Sequence, residues 1–313
     1  MPGRRLPDWM RRPIESSAAL RRTRELLGSV HTVCREARCP NLAECYGRHT
    51  ATFLILGPVC TRSCAFCAVG KGRPHPVDPE EPDNVALAAS RLALSHVVIT
   101  SVTRDDLPDG GAAHFAAVVG AVKKECPGSV VELLVPDFQG QAAALETVLA
   151  AGPDILNHNL ETVPRLYPVV RPGAGYARSL ELLARAGRTG VRTKSGIMLG
   201  LGEEREEVLA VLADLRQAGV DFLTLGQYLA PSEFHYQVRA YVTPQEFEFY
   251  RNRADQAGFT GVAAGPYVRS SYRAGELAGP KILDRNNPKP PLQDDGGTEE
   301  RKPPEDRTVP EHF

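Results

Sequence analysis

Cys34, Cys39 and Cys45, and again Cys60, Cys64 and Cys67, set three thiols close together twice in one chain, and these six are all but one of its seven cysteines. Thiolates are soft donors suited to zinc or to iron–sulfur clusters, and a closed structural zinc site takes four donors from Cys and His. Each triplet is one donor short, so a coordination position stays free. In Cys60-Thr-Arg-Ser-Cys64-Ala-Phe-Cys67 the C-x3-C-x2-C spacing lets one short loop wrap three corners of a four-iron cube, and the fourth iron can take a substrate or cofactor. The competing reading is a zinc or disulfide knuckle. A zinc ribbon, however, pairs two C-x2-C knuckles, and these triplets contain one x2 spacing.

The second triplet, with Phe66 just before its last cysteine, resembles the cluster motif of the radical S-adenosylmethionine enzymes. In that family the open iron chelates the amino and carboxylate groups of the methionyl moiety, and one electron cleaves the sulfonium to a 5′-deoxyadenosyl radical. The first triplet, C-x4-C-x5-C, is similar to the auxiliary-cluster motif of the lipoyl synthases. The likeness runs on through Thr100-Ser-Val-Thr-Arg-Asp-Asp-Leu-Pro-Asp-Gly-Gly111, Asn157-His-Asn-Leu-Glu-Thr162, Arg171-Pro-Gly173, Lys194-Ser-Gly-Ile-Met-Leu-Gly-Leu-Gly-Glu203, Gln227-Tyr228 and Arg269-Ser-Ser-Tyr272. It therefore covers nearly everything from Cys34 to Ala274.

This resemblance implies a sulfurtransferase that converts a protein-bound N6-octanoyl-lysine to lipoyl-lysine by inserting sulfur at C6 and C8. It implies S-adenosyl-L-methionine and two 4Fe-4S clusters as cofactors. Cys60, Cys64 and Cys67 are the implied ligands of the radical-generating cluster. Cys34, Cys39 and Cys45 are those of the auxiliary cluster, with Ser271, the second serine of Arg269-Ser-Ser, as its fourth ligand. An alkoxide is a harder donor than a thiolate, so that corner can open and the bridging sulfides can serve as reagent. Without the first triplet, Arg269-Ser-Ser reads as a polar turn after Gly265-Pro266. Implied partners are octanoylated lipoyl carrier domains (2-oxoacid dehydrogenase E2 subunits, the glycine cleavage H protein), an electron donor and cluster-assembly proteins.

Gly196-x-Met198-x-Gly200-x-x-Glu203 resembles the glycine-containing strand of the same superfamily, whose backbone approaches the adenine; a glycine has no Cβ to intervene. A glycine-rich turn ending a strand is the alternative. Asn159 and Glu161 close a strand with groups suited to ribose hydroxyls, or they satisfy polar backbone at the mouth. Ser101 opens the loop after the second strand and is grouped with the cofactor contacts. Asp105, in Arg104-Asp105-Asp106, orients the cofactor's ammonium or ties neighbouring loops by ion pairing. Radical hydrogen abstraction needs no base, so His31 and His158 are read as hydrogen-bonding residues. Cys126, late in an amphipathic helix, reads as a small apolar filler.

A net charge of −1 and 42% hydrophobic residues describe an ordinary globular chain with no nucleic-acid bias. A tRNA methylthiotransferase, one rival sulfur inserter, would need a basic appendage; a biotin synthase-like inserter and a purely structural zinc protein are the others. No apolar run reaches membrane-spanning length and no secretory core opens the chain, so the expected location is the cytoplasm, where thiols stay available for metal. The first 24 residues carry seven arginines against Asp8 and Glu15. This basic head reads as an arm for an acidic carrier domain, with a solvated arm or a mitochondrial presequence as alternatives.

Strand-like runs at Thr52–Leu56, His96–Thr100, Val130–Val135, Asp154–Asn159, Val191–Leu199 and Asp221–Leu225 alternate with helical patterns. The helical patterns follow a first helix near Ile14–Leu27 and lie at Asn84–Leu94, Ala112–Cys126, Gln141–Ala151, Arg178–Gly187, Glu203–Ala218 and Pro244–Ala257. Alternation of this kind predicts an α/β fold, an incomplete (β/α)6 TIM-like barrel with chemistry at the carboxyl ends of its strands. The expected divisions are an N-terminal extension over 1–50 carrying the auxiliary-cluster cysteines and the barrel over 51–265. A C-terminal extension over 266–285 carries the serine, and a disordered Pro-rich tail covers 286–313.

Overall fold

The computed structural model describes residues 6–11 and 17–279. The expected tail from Asn286 and the start of the helix expected from Ile14 lie outside them.

The chain opens with α1 (Ser17–Leu27) and two short helices, α2 (Val33–Glu36) and α3 (Leu42–Gly47), that carry the first cysteine triplet. Six β/α units follow, as the alternation predicts. They comprise β1 (Thr52–Ile55) with α4 (Glu81–Arg91), β2 (His96–Ser101) with α5 (Ala112–Glu125), and β3 (Val130–Leu134) with α6 (Ala142–Ala150). After β4 (Ile155–Asn157) come the one-turn α7 (Tyr167–Val170) and α8 (Tyr176–Arg188). The last two units are β5 (Arg192–Leu199) with α9 (Arg205–Gln217) and β6 (Phe222–Gln227) with α10 (Pro244–Gln256). Helix α10 starts where its sequence says it should: Pro244 is pre-set for the first turn, and Thr243 and Glu246 cap each other's backbone N–H groups.

A seventh strand, β7 (Gly261–Gly265), then joins the sheet, and α11 (Ala274–Ala278) ends the described chain. The expected count of six strands is thereby corrected. Gly-Val-Ala-Ala-Gly carries one large apolar side chain and gives almost no hydrophobic signal, but its backbone pairs in register with Phe222–Gly226. All seven strands are parallel and neighbour one another in chain order, β1 to β7. Among the described residues β1 and β7 do not pair, so the barrel is open.

Strand alternation sorts side chains between two sides of this sheet. Phe53, Ile55, Val97, Ile99, Leu223 and Leu225 are wholly buried in the apolar core. The residues between them, Thr52, Leu54, His96, Val98, Thr224 and Gly226, face a cavity inside the barrel. The inner set is smaller and more polar, which keeps that space open.

Candidate active site

The cavity has a volume of about 1810 Å³, and all six triplet cysteines line it together with Ser271. Among the described residues no two cysteines form a disulfide.

The second triplet lies on the loop after β1, framed by a two-residue parallel ladder of Val59–Cys60 with Gly70–Lys71. Several contacts fix this loop. The Cys60 sulfur accepts from the backbone N–H groups of Arg62 (3.4 Å) and Thr103 (3.3 Å), and Ala65 N–H donates to the Val170 carbonyl. Arg62 is clamped from outside by Asp105, with contacts of 2.7 and 2.9 Å, and by the buried Asp137 at 2.7 Å. Burial pushes the Cys67 thiol up to about 11 and also raises Cys64, against which the Arg171 guanidinium works. A cationic metal centre reverses this preference by favouring thiolate.

The first triplet is built against the start of β1. Thr32 bridges antiparallel to Phe53, and Leu54 N–H donates to the His31 carbonyl, so the segment leading into α2 lies along the strand. That sets Cys34 beside Thr52. Cys34 is pushed up to about 12 by burial, opposed by a hydrogen bond from the Thr52 backbone and reinforced by the nearby Cys39 and Cys45. The Thr52 hydroxyl donates to the Ser271 hydroxyl oxygen at 2.7 Å. Two donors far apart in sequence thus meet at one threonine.

The segment carrying Ser271 is seated on Gly226 and tied to the N-terminal extension. Asn41 donates to the Tyr267 carbonyl at 2.7 Å, and Tyr272 and Arg273 both donate to Glu44. The two serines face different neighbours. Ser270 accepts from Asn157 (2.7 Å) and donates to Asn159 (3.0 Å), whereas Ser271 turns to Thr52. Behind Asn157 lies a buried charge network in which Glu132 accepts from Asn157, Lys194 and His96 at 2.8–3.0 Å. Attraction to Lys194 and His96 outweighs burial and holds Glu132 down at about 2.

Of the expected cofactor contacts, Ser101, Asn159, Glu161, Gly196 and Met198 line the cavity. The Ser101 hydroxyl is buried with no protein partner there. Glu161 adopts φ 68°, the left-handed region that a non-glycine residue enters only when its surroundings impose it. Its N–H and carbonyl are bonded to Gly196 and Met198, and its carboxylate accepts from Asn159. Burial raises the Glu161 carboxyl, with Arg171 opposing. At Gly196 a Cβ would lie 2.4 Å from the Thr224 hydroxyl.

Three expected contacts are not among the residues lining the cavity. Asp105 is engaged by Arg62, the loop-tying alternative. Gly200 and Glu203 make a turn in which the Glu203 carboxylate accepts from the N–H groups of Gly200 and Leu201. A Cβ on Gly200 would meet Gln227 and the Ala240 carbonyl. Protein packing, not a ligand, requires this glycine. The two histidines are hydrogen-bonded as expected: His31 to Glu36, and buried His158 to the Val135 carbonyl and Ser179. Cys126 packs against the core. Asp137 and Gly226 had no signal in sequence, and Arg62 and Thr52 stood in a quoted motif and a quoted strand without a role. Arg171 stood in a quoted motif without a role.

The donor chemistry fits iron–sulfur clusters. Two sets of three soft thiolates line one cavity, with the Ser271 hydroxyl among its lining groups. A cube places each thiolate on a different iron and so takes a wider spread of donors than a single metal ion. The orphaned Ser101 hydroxyl supplies polar capacity for a bound ligand.

A model of the Radical SAM superfamily matches residues 54–226. Among solved structures, Streptococcus suis SuiB bound to S-adenosylmethionine superposes with a TM-score of 0.53 at 12% identity, over 71% of this chain and 53% of that one. Methylornithine synthase (PylB) gives 0.51 at 17% identity, over 85% and 87%. The matched family model covers more than half of the chain, and with the shared fold it places the protein in the radical SAM class. Curated relatives narrow this further. Lipoyl synthase of Geobacter sulfurreducens is 56% identical over 285 residues, 90% of this chain and 93% of the relative. That of Trichlorobacter lovleyi is 58% identical over 279 residues, 88% and 99%. The chain belongs to the lipoyl synthase family.

Proposed function

We propose that this cavity carries out the lipoyl synthase reaction, sulfur insertion at C6 and C8 of a protein-bound N6-octanoyl-lysine to give lipoyl-lysine. One observation carries the reading: two cysteine triplets open on a single cavity, and Ser271 stands beside the first. We assign Cys60, Cys64 and Cys67 to the cluster that binds S-adenosylmethionine. Cys34, Cys39, Cys45 and Ser271 are assigned to the auxiliary cluster. When bound, the first cluster and S-adenosylmethionine generate the radical that removes hydrogen from unactivated carbon, and the second supplies the sulfur.

The chain's own residues bind and orient. C–H bonds of a methylene or methyl carbon have no accessible pKa, so no side chain here serves as their base. His158 has both ring nitrogens engaged, in keeping with that. Leu54, Val98 and Leu134 give the cavity an apolar inner wall that excludes water from a flexible octanoyl chain. Asn159 and Glu161, locked to β5, are assigned to the cofactor's ribose, with Gly196 and Met198 toward its adenine and Ser101 as a further polar contact. Arg171 donates to the Asn159 carbonyl at 2.8 Å and so supports that edge.

The substrate arrives on a carrier, for which lipoyl domains of 2-oxoacid dehydrogenase E2 subunits and the glycine cleavage H protein are the proposed sources. An electron donor and cluster-assembly proteins complete the partners. The proposed location is the cytoplasm; among the described residues no helix is long and apolar enough to cross a membrane. A single-turnover assay with an octanoylated lysine peptide tests the reading. It should yield 5′-deoxyadenosine, a monothiolated intermediate and then product sulfurated at both carbons. 5′-Deoxyadenosine formed without any carbon–sulfur product would refute it.

A further inference from the structure

We propose that Thr52 is a positioning residue for the auxiliary site, holding Ser271 as a ligand through its side-chain hydroxyl. The inference rests on the assignment of Ser271 to the cluster of Cys34, Cys39 and Cys45 and goes beyond it by naming what holds that serine in place. Thr52 is the first residue of β1, is nearly buried and faces the cavity. Its hydroxyl donates to Ser271 at 2.7 Å across 219 residues of sequence. The strand fixes its backbone through pairing with Val98, so Ser271 is referred to one rigid point.

The chemistry explains why a hydroxyl is needed there. An oxygen that binds iron has given up its proton and accepts hydrogen bonds only, and charge-assisted bonds to such an oxygen are stronger than neutral ones. The Thr52 hydroxyl already points its donor at that oxygen. It therefore favours the iron-bound form of Ser271 and slows opening of that corner. A methyl group in its place fills the same space and donates nothing.

Thr52→Val and Thr52→Ser in the full chain, purified anaerobically with both clusters, test this. The readout is the rate at which each site loses iron to a ferrous chelator, followed by Mössbauer spectroscopy, with the Cys60–Cys67 site as the reference within the sample. Thr52→Val should release auxiliary-site iron roughly tenfold faster, the equivalent of about 1.4 kcal/mol, and Thr52→Ser should restore the slow rate. Three results overturn the inference: no acceleration in Thr52→Val, equal acceleration at both sites, or no rescue by Thr52→Ser. A Cys34→Ala control separates the two claims. If Cys34→Ala lacks one cluster's iron while Thr52→Val behaves like the parent, the ligand assignment stands and the role of Thr52 falls. If Cys34→Ala keeps all its iron, the ligand assignment falls.

Discussion

The carbonyl oxygen of Val268 occupies the space that a side chain on Gly226 would need: a Cβ built there would lie 2.1 Å from that oxygen. The oxygen belongs to backbone and the position of a Cβ is fixed by its own backbone, so no rotamer change relieves the clash. Gly226→Ala should therefore lift the segment that brings Ser270 and Ser271 over the cavity, at a cost of about 1–3 kcal/mol. Hydrogen exchange should show residues 266–279 less protected, and iron analysis should show the auxiliary site depleted ahead of the other. A variant with parent-like protection and iron content would contradict this seating.

The two serines should separate in mutagenesis, because their partners differ. Ser271→Cys replaces the hard oxygen donor with a thiolate. It should retain auxiliary iron but lose most sulfur insertion, since that corner no longer opens readily. Ser270→Ala removes a partner of Asn157 and Asn159 and should weaken the segment by about 1 kcal/mol with partial activity. Iron content together with product yield from a single turnover distinguishes the cases; equal behaviour of the two variants would contradict the assignment.

Glu132 and Lys194 form a buried pair at 2.8 Å, both side chains almost fully out of solvent. Glu132→Ala leaves the ammonium unpaired and should cost about 3–5 kcal/mol, whereas replacing both partners with apolar residues should recover much of it. Chemical denaturation of the three proteins, monitored by circular dichroism, measures the difference.

Acid should weaken the fold in two stages. Burial lowers His158 to about 4 from its ordinary 6.5, so the unfolded chain takes up this proton first and stability falls as pH drops from 6.5 toward 4. Glu132, held at about 2 against an ordinary 4.5, adds stability that is complete above 4.5 and lost as pH falls toward 2. Denaturant midpoints between pH 7 and 5 read the first stage. His158→Gln should flatten that part of the profile, and an unchanged slope would contradict the burial argument.

Most of the scaffold was legible because its signals are local. Short apolar runs gave six strands within a residue or two, and cysteine spacing over a few positions marked both triplets. Strand β7 escaped because glycine and alanine carry no such pattern, and the backbone of β6 templates it. The site was legible only where a motif is contiguous. Thr52 and Ser271 are 219 residues apart, and nothing near either announces the other. Asp105 and Glu203 carry the carboxylates a ligand site would use, yet Arg62 and the turn at Gly200 engage them first. Which partner a carboxylate takes is decided by tertiary packing, 43 residues away in the case of Asp105.

The assignment of both triplets to clusters requires one cavity to hold a radical source and a consumable sulfur source. Its most direct test loads the auxiliary site with heavy-isotope sulfide, runs one turnover anaerobically on an octanoylated lysine peptide and weighs the product. Label should appear at both C6 and C8 together with loss of auxiliary-site iron. Unlabelled product, or anaerobically purified protein that contains a single cluster and still makes product, would contradict it.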